Sequence, residues 1–132
     1  MADGLCIFMD EVGFIAHWPG GVEAINSDAF DEDIFAGASP ALVEFWAARC
    51  SACRRLAPQL EALAREQQGT LRVFTLNVDE ELPVAVRLEV LAIPALLLFV
   101  NGQEVARWVG DIPWAEVRSQ LITASQSSVS PL

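Results

Sequence analysis

Ala41-Leu42-Val43-Glu44-Phe45-Trp46-Ala47-Ala48-Arg49-Cys50-Ser51-Ala52-Cys53 decides how this chain is read. The run from Ala41 to Trp46 is apolar apart from Glu44, which is the pattern of a strand buried on both faces. After Cys53 the apolar residues switch to helical spacing, with Leu56, Leu60, Leu63 and Ala64 on one face. The two cysteines therefore stand three apart at a strand-to-helix turn. There the free backbone N–H groups and the helix dipole stabilise a thiolate. A thiolate with a second thiol in reach can attack a disulfide and then resolve the mixed disulfide. The alternative is half of a zinc site, which needs two more ligands. Only Cys6 and His17 offer themselves, both in an atypical N-terminal stretch.

With 132 residues, the chain suits one domain with a single core. An apolar fraction of 53%, with four Trp and seven Phe, excludes a disordered chain. The net charge of −10 argues against nucleic acid or an anionic membrane as partner. No stretch of about 18 uncharged apolar residues reads as a membrane span. The N-terminus lacks the basic start of a secretory signal, so a cytoplasmic protein is expected. Residues 1–33 hold eight acids and no base, whereas residues 34–132 are close to neutral. All eight bases are Arg, and Arg49, Arg54 and Arg55 cluster around the cysteines. Guanidiniums there favour thiolate over thiol and can steer acidic partners.

Outward from the cysteines, the reading gives three segments. Residues 1–19 form an acidic and apolar extension closed by the turn signal Trp18-Pro19-Gly20-Gly21, residues 20–124 a domain, and residues 125–132 a flexible polar tail. Within the domain, 22–25 reads as a short strand and 28–36 as an acidic helix facing Phe30, Ile34 and Phe35 inward. The main helix spans 50–68 with Pro58 inside it. A strand at 71–78 follows, then a short helix at 81–90 with Leu82, Val86 and Val90 inward. Ala95 to Val100 and Gln103 to Val109 form a hairpin across Asn101-Gly102. A helix from Ile112 to Ala124 closes the domain, with Pro113 near its first position. The order is β-α-β-α-β-α-β-β-α, an α/β domain.

These residues resemble the thioredoxin family over about Val22 to Ala124. Phe45-Trp46-Ala47 before the cysteines and Leu56-Ala57-Pro58 after them match its pattern. So do Leu76-Asn77-Val78-Asp79, Ile93-Pro94 seventeen residues after Asn77, Phe99-Val100-Asn101-Gly102 and Val109-Gly110. The resemblance implies a thioredoxin fold, a central mixed sheet of about five strands flanked by about four helices. It also implies a redox disulfide Cys50–Cys53, with Cys50 as exposed nucleophile and Cys53 as buried resolving thiol. Substrate is expected against Trp46, Arg49, Ala92, Ile93 and Pro94, the last after a cis peptide. Neither a cofactor nor a metal is implied.

The chain departs from the pattern in five places. Glu44 stands where the family usually has a buried Asp, and its carboxyl is the expected proton relay for Cys53. The alternative is a side chain that snorkels out of the sheet. Thr75 replaces the Lys often found near that acid, and Arg49 replaces the Trp before the first cysteine. Ala92 replaces a frequent Gly, which narrows substrate choice. Ser51-Ala52 replaces Gly-Pro, adding an N–H and a hydroxyl near the nucleophile. Because stabilising the thiolate stabilises the reduced form, the couple is expected to be less reducing than a CGPC thioredoxin. Cys6 is read as an idle thiol or a regulatory disulfide site, and His17 is given no role. The expected function is thiol–disulfide exchange on protein disulfides, with a thioredoxin-reductase-like protein or a small thiol as reductant. The protein is expected to be monomeric and to bind neither nucleic acid nor membrane. The competing reading is a binding or chaperone-like module on the same fold.

Overall fold

A computed structural model describes residues 21–37 and 39–129, with only the backbone of 124–129. The extension 1–19, with Cys6 and His17, lies outside the described residues. The strands are β1 (Glu23–Ala24), β2 (Ala41–Trp46), β3 (Arg72–Asn77), β4 (Ala95–Val100) and β5 (Gln103–Val109). The helices are α1 (Ser27–Phe30, continued by a π-helical turn Asp31–Phe35), α2 (Ser51–Glu66), α3 (Leu82–Arg87) and α4 (Trp114–Val129). The five strands form one mixed sheet in the order β1-β3-β2-β4-β5. β1, β3 and β2 run parallel, while β4 and β5 are antiparallel to their neighbours.

The alternation along β2 divides the core into two layers. Ala41, Val43 and Phe45 join Phe30, Ile34, Val84 and Phe99 on the face under α1 and α3. Leu42 joins Leu56, Leu60, Leu63, Leu96 and Leu121 on the face under α2 and α4. The Leu56/Leu60/Leu63/Ala64 stripe thus packs as its spacing requires, with Cys53 buried on the same helix. Phe35 is the marginal member of its helix. It is more than a third exposed, yet it stacks edge-on against Phe30 and Phe99.

Three expectations need correction. α3 does not turn Leu82 and Val86 inward: they are 58% and 64% exposed, and Val84 and Ala85 are buried instead. A six-residue helix has too little length for a periodic stripe to set its face, so packing against Phe30 and its neighbours sets it. Pro113 is not inside α4, because its carbonyl accepts the first helical bond, from the Val117 amide at 3.0 Å. That makes Pro113 the flanking cap residue. The helix also runs five residues beyond Ala124, through part of the segment expected to be a flexible tail. No Gly or Pro stands between Trp114 and Val129 to stop it.

The β4–β5 turn has φ of 53° at Asn101 and 78° at Gly102, the left-handed pair that a two-residue hairpin of this twist requires. Near the other end of β5, Arg107 holds Glu104 through two hydrogen bonds of 2.6 and 2.8 Å. It also donates to the carbonyls of Leu88 (2.9 Å) and Glu89 (3.1 Å). The bond to Glu104 is the main cause that raises the Arg107 pKa.

Gly102 and Gly69 separate two effects. Both have positive φ, but a Cβ at Gly69 would meet open space, whereas one at Gly102 would collide with the Phe35 carbonyl. Gly69→Ala should cost about 1 kcal/mol from backbone conformation alone. Gly102→Ala should cost clearly more, about 2 to 3 kcal/mol, by urea unfolding. Equal losses would remove the contact between the hairpin tip and the first helix from the account.

Candidate active site at the N-terminus of α2

β2 ends at Trp46, and a short turn closed by the bond from the Cys50 amide to the Ala47 carbonyl (3.0 Å) carries the chain to α2. Cys50 is the N-cap of that 16-residue helix, in extended conformation with φ −96° and ψ 103°. Its Sγ accepts a hydrogen bond from the Cys53 amide at 3.2 Å. The two cysteines form a disulfide, with Cα atoms 5.3 Å apart. Cys50 is partly exposed while Cys53 is 2% exposed, so of the two residues only the first is open to a partner. The expected help from Ser51 and from the amide of Ala52 is not what the disulfide state shows. The bond to the sulfur comes from Cys53.

The arginine cluster is less uniform than its sequence suggests. Arg49 pairs with Asp79 at 2.5 Å, so its charge is offset rather than free for the cysteines. Asp79 is set in place by its own amide, which donates to the Asn77 side chain at 2.9 Å. Arg54 donates to the Ala48 carbonyl. Arg55 has no charged partner among the described residues. An exposed pair such as Arg49–Asp79 contributes little to stability, about 0 to 1 kcal/mol.

Glu44 is buried, 3% exposed, rather than snorkelling out of the sheet. Alternation places it on the α2/α4 face of β2, in register with Thr75 on β3 and Leu96 on β4. Neither neighbour brings a charge, and its Oε2 has no hydrogen-bond partner among the described residues. Burial therefore pushes its pKa from the ordinary 4.5 up to about 8.

The Ile93–Pro94 peptide is cis. Pro94 is buried, Ile93 half-buried and Ala92 exposed. Ile93 and Pro94 share a groove of about 430 Å³ with Ala52, Arg55, Asp111 and Trp114. Trp46, Arg49 and Ala92 do not line it. Sequence reasoning missed Asp79, Asp111 and Trp114. It missed Gln59 as well, although Ala52, Arg55, Leu56 and Gln59 stand at helical spacing, a signal that could have marked the α2 wall. Among the described residues no group of three or more His, Cys, Asp or Glu could hold a metal ion. Nor is any helix there long and apolar enough to cross a membrane.

Residues 21–123 match the family model Thioredoxin. Thioredoxin 1 of Chlorobaculum tepidum is 38% identical over 98 residues, covering 74% of this chain and 97% of that protein. Thioredoxin of Synechocystis sp. is 34% identical over 97 residues, covering 74% and 91%. The chloroplastic M-type thioredoxin of Pisum sativum is 33% identical over 100 residues, covering 76% of this chain but 58% of that protein. A bifunctional thioredoxin reductase/thioredoxin of Mycobacterium leprae is 40% identical over 86 residues, 65% of this chain and 19% of that protein. The chain belongs to the thioredoxin family, and its cysteine pair is the equipment of a thiol–disulfide oxidoreductase.

The buried carboxyl has a measurable signature. In the folded protein Glu44 keeps its proton up to about pH 8, whereas in the unfolded chain it ionises near 4.5. Between these values the folded state binds more protons, so its stability falls as pH rises, by up to about 1.4 kcal/mol per pH unit. In Glu44→Gln this contribution is gone. The stability difference between variant and wild type should therefore grow in the variant's favour from pH 5 to pH 8 and level off above. A difference independent of pH would mean that Glu44 is ionised in the folded protein.

Proposed function

We propose, with membership of the thioredoxin family as premise, that this protein exchanges disulfides with protein substrates through Cys50 and Cys53. The observation that carries this is the bonded cysteine pair at the start of α2, with one residue accessible and the other buried. The reduced Cys50 thiolate attacks a substrate disulfide, forming a mixed disulfide and releasing one substrate thiolate. Cys53 then attacks the Cys50 sulfur, releases the second substrate thiolate and closes the Cys50–Cys53 bond. Glu44 serves as the proton store for Cys53 in this reading. With a pKa near 8, a fraction of the molecules carries Glu44 ionised around neutral pH; in that fraction the carboxylate accepts the proton as Cys53 becomes a nucleophile and returns it when the disulfide is opened again.

An extended substrate segment lies against Trp46, Arg49, Ala92, Ile93 and Pro94 in this reading, with Arg49 engaged by Asp79. Burial of Pro94 and its place in the groove beside Ala52 support it. A thioredoxin reductase or a small thiol resets the pair. The Mycobacterium leprae relative, whose name joins a reductase to a thioredoxin, favours the first. The protein is proposed to work as a cytoplasmic monomer without nucleic acid, membrane, metal or cofactor. The net charge of −10 supports the exclusion of anionic partners.

Two measurements check the mechanism. In a turbidity assay of insulin reduction, Cys50→Ser should abolish activity, and Cys53→Ser should accumulate a mixed disulfide visible by mass spectrometry. Activity surviving in Cys50→Ser would sink the assignment of the nucleophile. Equilibration of the pair against glutathione should give a potential at least about 30 mV above that of a CGPC thioredoxin in the same buffer. A value equal or lower would show that Ser51-Ala52 and the flanking arginines do not stabilise the reduced form.

A further inference from the structure

The groove beside the cysteine pair has walls of opposite charge. Its α2 wall carries Arg55 and Gln59; its far wall carries Asp111, in the connection from β5 to α4, and Trp114, the first residue of α4. Arg55 and Asp111 are both exposed. They are paired neither with each other nor with any other charge among the described residues. The remaining charges near the cysteines behave differently, since Arg49 is held by Asp79 and Arg54 by a backbone carbonyl. At about 430 Å³ the groove has the size of a small-molecule site. Ala52, which stands between the two cysteines in sequence, and Pro94 both line it.

The geometry points to a subsite for a low-molecular-weight thiol, or its disulfide, that carries both a carboxylate and an ammonium group. The carboxylate meets Arg55 as a charge-assisted pair, the ammonium meets Asp111, and Trp114 covers the apolar part of the molecule. A single-sign ligand would leave one wall facing a like charge. The inference rests on the oxidoreductase reading and names its small redox partner. The Cys50 thiolate attacks one sulfur of the small disulfide RSSR. A Cys50–SR bond forms, the S–S bond breaks, and one RS⁻ leaves and takes up a proton. The Cys53 thiolate then attacks the Cys50 sulfur, the Cys50–SR bond breaks, and the second RS⁻ leaves. Two electrons and two protons have passed from the dithiol to two RSH, and in reverse two RSH reset the protein.

The test is a stopped-flow measurement on the reduced full chain with oxidised glutathione and with neutral hydroxyethyl disulfide. It reads the ratio of the two rate constants, so that general effects on the cysteines cancel. Arg55→Gln and Asp111→Asn should each lower that ratio about three- to fivefold. The sign for Asp111→Asn is decisive, because oxidised glutathione is a net anion. If the groove merely attracts anions, removing Asp111 raises the ratio, and the inference is overturned. Ratios unchanged in both variants, with both disulfides reacting, overturn the subsite and leave the oxidoreductase reading standing. Failure of the wild type to react with either disulfide overturns the subsite; failure in the insulin assay as well overturns the oxidoreductase reading.

Discussion

Strand β2 is closed to water on both faces and along both edges. From Ala41 to Phe45 no residue exposes more than 3% of its surface, and β3 and β4 take up its backbone groups on either side. Such a strand is stable only between two covering layers, so α1 and α3 must pack on one face and α2 and α4 on the other. The rest of the molecule follows from that requirement. Where β2 emerges, the chain turns within a few residues into α2, and the cysteines occupy the turn. Their position is set by the burial of a strand that contributes no sulfur chemistry itself.

The same burial gives Glu44 its character. A carboxyl on an exposed strand face would ionise at ordinary pH. Here it faces Thr75 and Leu96 with one oxygen unpartnered, and desolvation alone carries its pKa to about 8. Desolvating a polar group without a full set of hydrogen bonds opposes folding. An acidic group in the middle of an otherwise apolar strand is therefore a local conflict of the kind found where a protein performs chemistry.

How much of this the sequence reveals depends on how many residues share each signal. The main strand and α2 were legible because their patterns run long: six residues from Ala41 to Trp46, and a 16-residue helix whose inner face is marked by Leu56, Leu60, Leu63 and Ala64. Asn101-Gly102 was legible because two left-handed residues in sequence demand that chemistry. The face of α3 was not, since two apolar residues four apart fit either side of so short a helix. The pairing of Arg49 with Asp79 joins residues thirty apart beyond the ends of the neighbouring strands β2 and β3, and a local charge count cannot find such a contact. The far wall of the groove was hidden for the same reason: Asp111 and Trp114 acquire meaning only once α4 brings them opposite α2.

Arg107 sits on the edge strand, far in sequence from the cysteines, and binds the Leu88 and Glu89 carbonyls at the end of α3. Those carbonyls precede a segment whose middle is open to solvent: Leu91 is 93% exposed and Ala92 exposed, while Val90 and Ile93 on either side pack against the core. Tied at Glu89 by Arg107 and at Pro94 by burial, the intervening loop has only a short span in which to move. Its conformational entropy is surrendered when the domain folds and not when a partner arrives. In the proposed reading, an incoming substrate meets backbone already held in place, so that less of the binding free energy is consumed in ordering the receptor.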